Sequence, residues 1–230
     1  MTFGIAQGLG VLVWSGLCAA DQRAVASRQI HQPLVAAVVT GLILGSPEKA
    51  LPVGLWLQLV WPTPMPVGGA LLPDTGSAAV VATLIALSIP GGGGFAIALV
   101  IGLLAAWFTI PWERRLRHEN GIREERALAS GGRGLTRAIS FGVAGAFSRG
   151  VFFALMGIVL ASLLAKWPGP LAPDRSFDLL TASLIGAAGT LGLAGLLARV
   201  QRETGRTWAS WVLAGLLIGA AGRFLIEGSR

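Results

Sequence analysis

Asp74 is the residue on which chemistry is most easily placed. It lies in Gly68-Gly69-Ala70-Leu71-Leu72-Pro73-Asp74-Thr75-Gly76, inside a run that is otherwise apolar from Val67 to Ile89. An aspartate in mid-span costs about 2.5–3.5 kcal/mol on insertion scales, and such residues usually face a polar cavity or a substrate path. The small residues allow close backbone approach and Pro73 frees a carbonyl in the preceding turn, so a broken helix beside a carboxylate suits a hydroxylated solute. The same spacing suits a helix N-cap after Pro73, and one carboxylate can do both. Gln58, in Trp56-Leu57-Gln58-Leu59-Val60-Trp61, is the second position. Its amide offers two donors and an acceptor to a pair of sugar hydroxyls, and Trp56 or Trp61 is suited to stacking on the apolar face of a pyranose. The competing roles are an interhelical hydrogen bond for the glutamine and an interface belt for the tryptophans.

Arg149 falls in a second apolar run and requires an acidic partner, a neighbouring subunit or a snorkelling route, unless it marks the end of a cytoplasmic segment. Gly41-x-x-x-Gly45 and Gly215-x-x-x-Gly219 favour close helix packing. Enzymatic patterns are missing. His31 and His118 occupy polar segments without a metal-ligand set or a nearby nucleophile, and Pro90-Gly91-Gly92-Gly93-Gly94 lacks the Lys-Ser/Thr of a phosphate loop.

The elements that must hold these residues are membrane helices. The 230 residues are 53% hydrophobic and only 13% charged, with 33 glycines and a mean hydropathy of +0.70. Soluble domains carry about 25% charged residues, and disordered chains have low hydrophobicity. Cys18 is the single cysteine, which excludes a disulfide scaffold. A bilayer core of about 30 Å needs roughly 20 helical residues per crossing, so the chain holds about six to eight hydrophobic segments and no separate soluble domain. The expected fold is all-α, a polytopic integral membrane protein formed as one domain over 1–230. The net charge of +7 does not point to nucleic acid, because 7 of the 18 basic residues lie between Glu113 and Arg137 and most others fill short gaps between apolar runs.

Along the chain, Phe3 to Ala20 reads as a retained helix rather than a signal peptide, since no Lys or Arg precedes it. Pro33 to Gly45 and Leu51 to Trp61 are too short to span alone; such a pair, broken by Gly and Pro, indicates a re-entrant hairpin over 33–61, with two thin or tilted spans as the alternative. Three prolines in Trp61-Pro62-Thr63-Pro64-Met65-Pro66 impose a turn. The N-terminal half, 1–110, is followed by a basic cytoplasmic loop over 111–137 carrying a short amphipathic helix that ends near Gly131-Gly132. Three further spans, about Ala138 to Ala165, Asp178 to Ala198 and Thr207 to Ile226, make up the C-terminal half, 138–230. With the basic loop inside, Arg199, Arg202, Arg206, Arg23 and Arg28 also fall inside, in keeping with the positive-inside rule.

The stretch from Asp21 to Asp74 resembles the signature region of the IIC subunit of mannose/fructose/sorbose-type phosphotransferase-system permeases. Asp21-Gln22-Arg23 is similar to the family's D-R pair, and His31-Gln32-Pro33-Leu34-Val35 with Gly41-Leu42-Ile43-Leu44-Gly45-Ser46 to its S-R-P-L-V and G-L-x-L-G-D run. Gly54-Leu55-Trp56-Leu57-Gln58-Leu59-Val60-Trp61 and Pro66-Val67-Gly68-Gly69-Ala70-Leu71-Leu72-Pro73-Asp74 follow in order. The resemblance implies a non-catalytic channel subunit of a bacterial cytoplasmic membrane, without cofactor or metal. It pairs with a IID subunit in an oligomeric IIC–IID complex and passes a hexose to the cytoplasmic IIA and IIB proteins, which carry the phosphoryl group. Asp21, Asp74, Gln58, Trp56 and Trp61 are the implied sugar-site residues. Gln58 stands where the family has Glu, Gln32 where it has Arg and Ser46 where it has Asp. These departures motivate a second reading, a diverged scaffold or regulatory subunit; an ion-coupled carrier is a weaker third.

Overall fold

The computed structural model describes residues 4–22, 29–61, 71, 73–89, 92–131, 134–166, 183 and 215–217. Within them lie six helices: α1 (Ile5–Asp21), α2 (Pro33–Leu44), α3 (Pro47–Val60), α4 (Thr75–Ser88), α5 (Gly92–Ala129) and α6 (Leu135–Leu164). The proline turn at 62–66, the spans expected at 178–198 and 207–226 apart from residues 183 and 215–217, and the arginines at 23, 28, 199, 202 and 206 lie outside the described residues.

The hairpin follows from its punctuation. Pro33 and Pro47 each start a helix at a position where no amide donor is needed. Between the helices Gly45 adopts φ 75; its N–H donates to the Leu42 carbonyl and that of Ser46 to the Gly41 carbonyl, closing α2 as a Schellman motif. Gly45 is thus a cap, and only Gly41 of that Gly-x-x-x-Gly pair packs. A Cβ on Gly41 would come within 2.9 Å of the Pro47 Cα, and one on Gly54 within 2.9 Å of the Leu34 Cα. The two helices therefore run antiparallel in close contact. At 12 and 14 residues they are about 18 and 21 Å long, each shorter than a bilayer core of about 30 Å.

α4 is the core. Of its 14 residues 13 are buried, and small Gly, Ala, Ser and Thr residues let α2, α3, α5 and α6 close around it. Its hydroxyls stay satisfied in this apolar setting: Thr83 donates to the Ala79 carbonyl and Ser88 to that of Leu84, 2.8 and 2.7 Å. The helix begins at Thr75, where Pro73 and the capping Asp74 define its start. α1 packs on α6 where Gly150 sits against the Ser15 backbone and the Ser15 hydroxyl donates to the Gly150 carbonyl at 2.8 Å. The other face of α1 exposes Ile5, Leu9, Val13 and Leu17, an apolar stripe suited to lipid.

α5 corrects the expectation of a basic loop with its own short helix. It runs 38 residues without interruption through Pro111 and into the charged segment. Ion pairs one turn apart support the polar part, Arg117–Glu113 at 2.8 Å, Arg115–Glu119 at 3.0 Å and Arg123–Glu119 at 3.3 Å. The hydrogen bond from Arg115, seconded by Arg123, holds the Glu119 carboxyl below the usual carboxylate range. The chain turns through Gly131 and Gly134, both at positive φ, and α6 returns alongside, so that the α5–α6 pair projects beyond the core. Both helices are long and apolar enough to cross a bilayer.

The close approach at Gly54 gives a stability prediction. Gly54→Val should lower the unfolding midpoint of the detergent-solubilised protein, an overpacking cost of about 1–3 kcal/mol. Gly8→Ala, at a position with open space around it, should leave the midpoint unchanged or raise it.

Candidate functional site

The site grows from the start of α4. Asp74 has extended backbone (φ −80, ψ 94) and caps the helix, its Oδ1 accepting from the Ser77 N–H at 3.0 Å. Its Oδ2 accepts from the Ser77 hydroxyl at 2.8 Å and from Nε and Nη2 of Arg149 at 3.2 and 3.0 Å. The third arm of Arg149, Nη1, reaches Glu113 Oε2 at 2.6 Å, and Arg117 Nε closes on Glu113 Oε1 at 2.8 Å. The Asp74 N–H donates to Thr109 Oγ1 at 2.9 Å. Arg149 is fully buried and Asp74 only 1% exposed, so one guanidinium on α6 locks the first turn of α4 to α5.

This places two sequence-level questions. Asp74 is the N-cap, and both of its oxygens are engaged by protein. Arg149 has an acidic partner on each side, Asp74 and Glu113. Glu113, Thr109 and Ser77, none of which stood out in the sequence, complete the network. Glu113 opens the charged run and reads there as a solvated group; only the crossing of α5 and α6 reveals its role.

A second cluster docks onto the same break. Asp21, at the end of α1 and 3% exposed, accepts from His31, whose Nδ1 lies 2.8 Å from Oδ2. His31 is thus held at the end of α1 by this contact. Its carbonyl accepts from Thr75 Oγ1 at 3.3 Å, and Gln22 Nε2 donates to the Pro73 carbonyl, the one freed by the break, at 2.9 Å. Gln22 Oε1 is buried with no hydrogen-bond partner among the described residues. Gly76 permits this approach, since a Cβ there would stand 3.1 Å from the His31 carbonyl oxygen.

Gln58 and Trp61 close the open end of the hairpin. Gln58 Oε1 accepts from the Leu34 N–H at 3.3 Å, an orphan donor of the first turn of α2, and its Nε2 donates to the Trp61 carbonyl at 3.3 Å. Trp56 and Trp61 are half-buried against the core. The structure thus gathers Asp21 and Asp74 around residues 73–75 and joins Gln58 to Trp61, with the 31–34 segment linking the two groups. Trp56 lies on the preceding turn of α3.

A helical core with a short hairpin, the buried helix α4 and two long apolar helices defines a polytopic membrane protein. Its fold is that of two solved structures. One, described as "Structure of membrane protein", matches with a TM-score of 0.65 over 99% of this chain and 94% of that one, at 19% identity. The other, "CryoEM Structure of Mannose Transporter ManYZ and Microcin E492 (MceA) complex", matches with a TM-score of 0.57 over 96% and 88%, also at 19% identity. Residues 5–114 match the family described as "PTS system sorbose-specific iic component". A Bacillus subtilis (strain 168) "Fructose permease IIC component" is 38% identical over 78 residues, 34% of this chain and 29% of that protein. An Escherichia coli (strain K12) "PTS system mannose-specific EIIC component" is 31% identical over 97 residues, 42% of this chain and 36% of that protein. The matched stretches thus span about a third of those relatives. Residues 5–114 thus match the IIC family, in keeping with the resemblance of the motifs from Asp21 to Asp74.

The buried network makes a thermodynamic prediction. Arg149→Met leaves two desolvated carboxylates facing each other and should destabilise the detergent-solubilised protein by about 3–5 kcal/mol. Adding Asp74→Asn and Glu113→Gln should recover most of that loss, followed by tryptophan fluorescence on unfolding.

Proposed function

We infer that the protein is the membrane IIC subunit of a phosphotransferase-type sugar permease. It binds a hexose and moves it across the bacterial cytoplasmic membrane to a cytoplasmic IIB partner, in an oligomeric complex with a IID subunit, and the phosphoryl chemistry belongs to IIA and IIB. One observation carries this reading: motif residues Asp21, His31, Pro73 and Asp74 meet at the start of the buried helix α4, and the 31–34 segment joins them to Gln58 at the mouth of the hairpin. The start of a helix leaves backbone carbonyls and amides over, which in a membrane protein only protein, a polar cavity or a substrate path can accommodate. The family and relatives that residues 5–114 match bear permease or phosphotransferase names, which favours transport over a diverged scaffold.

Within this proposal the residues take different parts. Gln58, an amide at the mouth of the hairpin, is the direct hydroxyl-binding group, and rotation of its side chain exchanges an internal bond for one to sugar. Trp61 and Trp56 offer apolar faces next to it. Asp21 orients the His31 segment, and Gln22 Oε1, without a hydrogen-bond partner among the described residues, supplies an acceptor. Asp74, engaged on both oxygens, contributes chiefly by holding the break open and fixed.

Gln58→Ala, at equal membrane expression, should reduce phosphoenolpyruvate-dependent hexose uptake about three- to tenfold, the worth of one hydrogen bond. Wild-type uptake in the Gln58→Ala variant would remove Gln58 from the site. Absence of hexose uptake by the intact complex, with its partners still assembled, would instead support the scaffold reading.

A further inference from the structure

The turn that joins α5 to α6 carries a cavity that neither the hairpin nor the start of α4 uses. Its volume of about 370 Å³ falls within the about 300–1,000 Å³ of small-molecule pockets. Arg123, Arg126, Ser130, Gly134, Arg137 and Phe141 line it together with two alanines, so three of the eight lining residues are arginines and none is acidic.

Protein balances only part of this charge. Arg123 shares Glu119 with Arg115, and its guanidinium lies over the Phe141 ring, 4.6 Å from the centroid. Among the described residues no carboxylate pairs with Arg126 or Arg137. These two reach the cavity from different elements, the last turn of α5 and the first turn of α6, and an anion between them relieves their repulsion. The same turn of α6 adds orphan amides, because its N-cap, Gly134, has no side-chain acceptor. Two uncompensated guanidinium groups beside the positive end of a helix suit a dianion better than a single carboxylate.

The place of the cavity along the helices decides where such an anion comes from. Trp107, Phe108 and Trp112 mark the level at which α5 passes from apolar to charged sequence, the composition of a membrane interface. From Trp112 to Arg126 the helix advances by 14 residues, about 21 Å, which is still about 16 Å along the membrane normal at a tilt of about 40°. The headgroup layer is only about 5–8 Å deep. The cavity therefore opens to water beyond the headgroups, on the side that the positive-inside rule makes cytoplasmic.

We propose that this cavity binds a soluble phosphorylated small molecule, a phosphate monoester. Its dianion lies between Arg126, Arg137 and the start of α6, where guanidinium forks match pairs of phosphate oxygens. Its hydroxylated body rests against Phe141 and Ser130, in space that a bare phosphate ion leaves unfilled. A ligand held in this way ties the end of α5 to the start of α6. The assignment does not rest on the transport reading.

The test is calorimetric titration of the purified full chain, in phosphatidylcholine nanodiscs at 0.15 M salt, with glucose 6-phosphate as the probe. The wild type should bind it saturably, and more tightly than inorganic phosphate or glucose. Arg126→Ala/Arg137→Ala should weaken binding by about tenfold or more, the loss expected for charged hydrogen bonds, and Ala138→Glu, which places a carboxylate in the lining, should abolish it. Arg114→Ala removes the same charge from α5 outside the cavity and should leave the affinity within about twofold, since salt screens exposed charges at this distance. All three variants should unfold at the wild-type midpoint without ligand. Absence of saturable binding to the wild type overturns the proposal, and so does undiminished binding to the double arginine variant. An equal loss in Arg114→Ala shows a diffuse basic field instead of a pocket, and equal affinity for inorganic phosphate shows a plain anion site; either overturns the assignment. Loss of glucose 6-phosphate binding when phosphatidic acid is added to the nanodisc identifies a lipid headgroup as the occupant and overturns the soluble source.

Discussion

Burying a guanidinium in a membrane protein is costly unless every arm finds a partner, and Arg149 meets that condition with carboxylates from two different elements. Asp74 takes two of its nitrogens and Glu113 the third. The net stabilisation of such a network relative to an apolar replacement is small, because desolvation offsets most of the attraction. Its effect is on specificity. With the charges in place, only one register of α6 against α4 and α5 leaves none of them unpaired. The N-terminal end of α4, and with it the break at Pro73, is held where the α1 end and the hairpin mouth meet it.

Small residues do the remaining positioning. Gly41, Gly54, Gly76 and Gly150 each stand where a side chain would collide with neighbouring backbone or methyl groups, so the hairpin, the 31–34 segment and α1 close directly onto the core. Association of helices in lipid relies on this kind of contact, since burial of apolar surface offers little there. The polar side chains of the site then satisfy backbone groups that the breaks leave over. Gln58 answers the Leu34 N–H, Gln22 the Pro73 carbonyl, and Asp74 the first turn of α4.

Much of this was legible in the sequence because composition and punctuation act locally. Short apolar runs bounded by Pro33, Gly45 and Pro47 define the hairpin, and Pro73-Asp74 carries the signature of a helix start. Less legible was whatever depends on helices crossing. Asp21 and His31 are ten residues apart in sequence, and Glu113 meets Arg149 only because α5 continues through Pro111, where the change from apolar to charged composition suggested a boundary. A helix with alternating Arg and Glu one turn apart sustains itself in water, so hydropathy marks the membrane edge there and not the helix end. The roles of Gln58, Trp56 and Trp61 toward a sugar are of a third kind, since they concern what the site does when filled.

The account rests on Arg149 and Asp74 acting as one unit, and a double-mutant cycle tests this most directly. Unfolding free energies of the purified full-length protein would be measured for Asp74→Asn, Arg149→Gln and the double variant, with hexose binding followed in parallel. The account predicts a coupling of about 1–3 kcal/mol in stability and the same non-additivity, in sign, for binding. Effects that add to within about 0.5 kcal/mol would mean that the two residues act independently, and would contradict it.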